Sequence, residues 1–116
     1  MPELQEDRLP HEHSPKAMGG KGYQDMMHER AILQWAVTKW GDEAQMKMVL
    51  EEMAELQKEI CKMWRGKDNR DDIADEIADL EIMLDQLKLM LEIEDEVGQH
   101  RTDKLARLQR RLEGKE

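Results

Sequence analysis

Four blocks of apolar residues recur at helical spacing and leave room for little else than helices. In the first, over roughly Tyr23 to Lys39, Met26 or Met27, Ile32 or Leu33, Ala36, Val37 and Trp40 return on one face, and Gly41 ends the run. The second opens at Asp42, read as its N-cap, with Glu43 in the first turn. Its apolar stripe is Met46, Val49, Leu50, Met53, Leu56, Ile60 and Met63, and it stops near Arg65 and Gly66. A polar loop, Gly66-Lys67-Asp68-Asn69, leads to the third, whose positive end is favoured by Asp71 and Asp72. Ile73, Ile77, Leu80, Leu84, Leu87 and Leu91 run down one side, widened by Ala74, Ala78, Met83 and Met90, and the pattern fades near Glu92. A fourth spans Glu94 or Asp95 to Leu112, with Leu105, Leu108 and Leu112 expected inward and Gly98 weakening its start.

Composition closes the alternatives. Aromatic residues make up 3% of the chain, Phe is absent, and strands draw on aromatic and β-branched residues. The abundant Glu, Lys, Leu, Met, Gln, Ala and Arg are good helix formers. With 116 residues the chain supports one domain. The expected fold is all-α, an antiparallel four-helix bundle, completed by dimerisation because its broad apolar faces exceed what so short a chain covers alone. Residues 1–21 read as a flexible N-terminal tail broken by Pro2, Pro10, Pro15, Gly19 and Gly20, residues 22–113 as the helical domain, and residues 114–116 as a C-terminal tail. His11 and His13 flank Glu12 in the tail, but nothing nearby completes a metal-ligand set.

The charge narrows the partners. Against 18 bases stand 27 acids, a net charge of −9, which repels nucleic acid. No apolar run approaches the roughly 20 residues of a membrane span. Cys61 is the lone cysteine, and the N-terminal residues hold no signal-like apolar segment, so a reducing, cytoplasmic setting is expected.

The acids are not scattered evenly. Glu52 and Glu55 lie three apart on the second helix, as do Glu76 and Asp79 on the third, and residues so spaced are neighbours on a helix surface. The two pairs are equidistant from the Arg65–Gly66 break. An antiparallel hairpin turning there brings all four carboxylates to one height across a gap of about 8–10 Å. Like charges so close need a cation, and oxygen ligands without His or Cys suit Mg²⁺ or Mn²⁺. A plain solvated acidic face is the competing reading. A di-iron bundle is not, since no helix carries Glu-x-x-His.

The stretch Glu51-Glu52-Met53-Ala54-Glu55, followed by Glu76-Ile77-Ala78-Asp79, resembles the EExxE…ExxD signature of the MazG-like, all-α nucleoside triphosphate pyrophosphohydrolases. Lys104-Leu105-Ala106-Arg107-Leu108 is similar to a basic stretch on that family's last helix, and the resemblance spans roughly residues 23–112. It implies a MazG-like bundle that cleaves a (d)NTP to the monophosphate and pyrophosphate, as a homodimer or homotetramer. Glu52, Glu55, Glu76 and Asp79 then hold Mg²⁺, with Mn²⁺ as a substitute, and Glu51 or Glu55 orients or deprotonates the attacking water.

A polyanionic substrate needs bases beyond the metal. Lys58 extends one turn past Glu55, and Lys104 and Arg107 share a face of the last helix, so these three are the candidate phosphate contacts. Arg65, Lys67 and Arg70 read as a solvated turn. Trp35 is the candidate for stacking on a base, with Trp40 and Trp64 as weaker ones and His28 as a possible cleft residue. Cys61 is expected to be a small buried residue. From another class, the alternative is a non-enzymatic, acidic helical module that binds a protein partner.

Overall fold

The structure, a computed structural model, describes residues 21–115. The tail read for residues 1–20, with its His11/His13 pair, lies outside the described residues. Helix α1 is Lys21–Trp40, α2 Asp42–Trp64, α3 Arg70–Leu91 and α4 Glu94–Leu112, and the described residues hold no strand. The fold is all-helical, as the periodicity implies.

Backbone chemistry sets the joints. Gly41 ends α1 by donating its N–H to the Val37 carbonyl at 2.8 Å and starts α2 by accepting from the Gln45 N–H at 3.1 Å. Its φ of 89° suits glycine. Gly41, not Asp42, is therefore the N-cap of α2; Asp42 and Glu43 lie in the first turn, beside the positive end of the helix dipole. After α2 the Gly66 N–H reaches the Met63 carbonyl and the Lys67 N–H the Lys62 carbonyl, with Gly66 at φ 103°. That is the Schellman arrangement, and it reverses the chain where the sequence puts the turn. The same hydrogen bonds close α3, from Glu92 to Leu89 and from Ile93 to Lys88, with Glu92 in the left-handed region at φ 55°.

The closest packing joins α2 and α3; α1 lies against both, and the α4 backbone approaches only α3. Met48, Val49 and Met83 form the core cluster, with Leu87 against it, and α1 adds the buried Leu33 and Val37. Between α2 and α3, Gln45 is buried and donates its Nε2 to Gln86 Oε1 at 2.6 Å. The midpoint of these two residues falls between Arg65 and Gly66, as does that of the two carboxylate pairs. The register read from the acids is therefore the register that the helices adopt.

The face that α2 turns inward differs from the expected one. Met46, Leu50, Met53, Ile60 and Met63 of the expected stripe are exposed, and the buried residues of α2 are Gln45, Met48, Val49, Glu52 and Glu59. The helix is rotated so that polar side chains with partners on or next to α3 enter the interface. Leu105, Leu108 and Leu112, expected inward, are also exposed, and no residue of α4 is buried, because its backbone approaches only α3 and its tie to α1 is the exposed Arg30–Glu94 pair. Cys61, expected buried, is exposed on α2.

The Gln45–Gln86 pair yields the first prediction. Gln45→Leu or Gln86→Leu alone strands a buried amide and costs about 1–3 kcal/mol, whereas the double variant regains most of that loss. Thermal melts of the four proteins give the coupling directly.

Candidate metal centre

The inward face of α2 carries a polar residue every two turns: Gln45, Glu52 and Glu59 are spaced seven apart, and all three are buried. Each has its counterpart across the hairpin. Gln45 meets Gln86. At the turn end, Asn69 donates its Nδ2 to both the Glu59 carbonyl and Glu59 Oε1 at 2.9 Å, while Lys62 donates to Glu59 Oε2 at 3.0 Å. The hydrogen bonds from Asn69 and then Lys62 hold the Glu59 carboxyl below the usual carboxylate range, against the opposing effect of desolvation.

At the middle level, Glu52 of α2 meets Glu76 and Asp79 of α3. Each offers one carboxylate oxygen, and the three oxygens lie within 4.8 Å of one another. Glu52 is 3% exposed; Glu76 and Asp79 are half-buried. One oxygen of each, Glu52 Oε2, Glu76 Oε2 and Asp79 Oδ2, is enclosed and accepts no hydrogen bond, although all three residues take part in other polar interactions. Opposite ligands around Mg²⁺ are about 4.2 Å apart, so small side-chain rotations would close the three oxygens on one hard cation. Three carboxylates, no nitrogen and no sulfur make a donor set for Mg²⁺, Mn²⁺ or Ca²⁺ rather than for a soft metal.

The other candidate residues take different places. Glu55, one turn beyond Glu52, is half-buried and outside the converging group. Glu51 and Lys58 are exposed on α2. Lys104 and Arg107 are exposed on α4, which is not packed on α2. Trp35 is 71% exposed on α1, Trp64 is exposed at the end of α2, and Trp40 is half-buried with the Lys39 ammonium 5.2 Å from its ring. His28 is exposed. Gln45, Glu59, Asn69 and Gln86, the rest of the polar seam, escaped the sequence reading. The signal was there: a seven-residue polar repeat on α2, and a glutamine on each helix equally far from the turn.

Further along α3, an open groove of about 420 Å³ is lined by Met26, Met27, Arg30, Leu33, Lys88 and Leu89 among others. Its cations are matched within the chain. Arg30 of α1 pairs with Glu94 of α4, which raises the guanidinium pKa and lowers that of the carboxyl, and Lys88 lies 2.9 Å from Asp85. This groove therefore offers a polyphosphate little unspent positive charge. In comparisons with known proteins, no family model, curated protein or solved structure matches this chain.

Two predictions follow from this geometry. Because the Glu59 pKa is lower in the folded chain, its contribution is complete at neutral pH and fades as pH falls through about 4.3 and below. Asn69→Ala removes the leading cause, so the melting-temperature gap between native chain and variant should be widest near neutrality and shrink in acid. For the triad, Mg²⁺ or Mn²⁺ should raise the melting temperature by a stabilisation that grows with the logarithm of ion concentration above the dissociation constant and reaches about 2.7 kcal/mol at a hundredfold excess. Glu76→Gln and Asp79→Asn should abolish the increase. A melting temperature indifferent to both ions would reduce the triad to an acidic cluster.

Proposed function

We propose that the protein is a Mg²⁺-dependent nucleoside triphosphate pyrophosphohydrolase of the MazG-like kind, acting in nucleotide-pool sanitation or dNTP-pool control. The observation that carries this reading is the meeting of Glu52 with Glu76 and Asp79 across the hairpin, where the EExxE and ExxD stretches face each other. Glu52, Glu76 and Asp79 would hold the metal, with Glu55 as the fourth ligand one turn along α2. Bound there, Mg²⁺ would offset charge on the triphosphate oxygens. Water would attack the α-phosphorus, the bond from that phosphorus to the bridging oxygen would break, and pyrophosphate would leave with the electron pair. Glu51 or Glu55 would take the proton from water. Positioning and charge compensation dominate phosphoryl chemistry, so a set of carboxylates without a Ser or Cys nucleophile is sufficient. Lys58, Lys104 and Arg107 are the phosphate contacts of this reading and Trp35 its base contact. A homodimer or homotetramer is its assembly.

One observation favours a second reading. The exposed apolar side chains of α2 and α4 also suit a non-enzymatic module that docks a protein partner. Such a module has no use for Mg²⁺.

Product analysis decides between them. Incubation with each common NTP and dNTP, with Mg²⁺ and then with EDTA, should give the monophosphate and pyrophosphate only when the metal is present. Glu55→Gln or Asp79→Asn should lower turnover at least about a hundredfold, the equivalent of losing ~2.7 kcal/mol of transition-state stabilisation. Circular dichroism would verify that the helices persist. Diphosphate plus phosphate as products, or full activity in either variant, would overturn the proposal.

A further inference from the structure

The groove lined by α1, α3 and the first residue of α4 takes no part in the metal centre. Its volume of about 420 Å³ falls in the range of small-molecule sites. Met26 and Met27 of α1 and Leu89 of α3 line it, together with Leu33 of the core. Met26 and Met27 keep 55% and 46% of their surface exposed, so a ligand seated against them removes apolar area from water. Thioethers adapt to the shape of what they touch and make favourable contacts with aromatic rings.

The charges select the sign of the ligand. Three acids and two bases line the groove. Arg30 pairs with Glu94 and Lys88 with Asp85, so both bases are set against acids of the same groove. Glu29 is the acid left over, exposed and without a base among the described residues. The local balance is one negative charge, in a chain of net charge −9. An anion entering here meets a repulsive field and two bases already engaged. A cation gains from Glu29 and leaves both ion pairs closed.

We propose that this groove binds a small organic cation, an ammonium group carried on an aromatic body. The ring lies against Met26, Met27 and Leu89, and the ammonium group faces Glu29. The inference rests on this groove alone and stands whether or not Glu52, Glu76 and Asp79 hold a metal.

Carbon-13 NMR of the full chain labelled at its methionine methyl groups is the test. Tryptamine is the probe, and indole-3-propionate, of similar shape and opposite charge, is its control. Tryptamine should shift the Met26 and Met27 signals, identified through Met26→Leu and Met27→Leu, with a dissociation constant of about 1–3 mM. The signals of Met46 and Met53, exposed on α2, should stay in place and report any unspecific binding to apolar surface. Indole-3-propionate should bind about tenfold more weakly. Glu29→Lys, a change at an exposed position of α1, should weaken tryptamine about fivefold and strengthen indole-3-propionate. The comparison of the two probes on the native chain decides even if that variant fails to fold. Equal binding of both probes, no saturable shift with tryptamine, or shifts that extend to Met46 and Met53 would overturn the proposal. So would Met26 and Met27 signals that move when the protein is concentrated without a probe, which would put a second copy of the chain in the groove.

Discussion

The hydrogen bond between Gln45 and Gln86 sets the terms for everything around it. Two amides enclosed between helices must find each other or pay the cost of an unmet polar group, so α2 and α3 cannot slide by a turn without stranding both. Asn69 imposes the same condition at the other end, where it bonds both the main chain and the carboxyl of Glu59. Between these fixed points Glu52 has one place to go: opposite Glu76 and Asp79. The carboxylate meeting is thus a consequence of register, and that register is held by uncharged or hydrogen-bonded groups on either side.

The same constraint explains what the sequence does and does not reveal. Helix number, the Arg65–Gly66 reversal and the height at which the acids meet are all local or additive properties. Glycine conformation, apolar periodicity and equal distance from a turn suffice to read them. The inward face of α2 is not such a property. Hydrophobic periodicity ranks Leu50, Met53 and Ile60 above Gln45 and Glu52 for burial, and within this chain the ranking is reversed. A polar side chain prefers the interior only when its partner is there, and the partners of Gln45 and Glu59 lie 41 and 10 residues away along the chain. A single-helix pattern carries no information about that. The inward placement of Leu105, Leu108 and Leu112 failed for the related reason that periodicity identifies a sticky face but not what covers it.

An interior built this way is weak in hydrophobic terms. Met48, Val49 and Met83 with Leu87 make a small core for four helices, and Leu112 at the end of α4 is left 80% exposed. Burying a Leu or Met fully is worth about 1.5–3 kcal/mol, so a chain that keeps so many of them outside forgoes a large part of the stabilisation open to it. The polar seam accounts for part of that cost. It lies in the interface where α2 and α3 run together, and Met46, Leu50, Met53, Ile60 and Met63 of α2 are left on the outside.

A cation at the triad would change that balance in a directed way. Its ligands come from both α2 and α3, so binding requires the two helices to be in register, and the binding free energy adds to the stability of the packed hairpin. Lysine is a poor substitute there. Lys62 is committed to Glu59 and Lys88 to Asp85, and a side chain with a long stem needs room that two closely packed helices do not leave. A compact divalent ion supplies two charges without a stem. Three carboxylates that converge at the midpoint of the hairpin therefore mark the place where a bound divalent ion would tie α2 to α3 most directly.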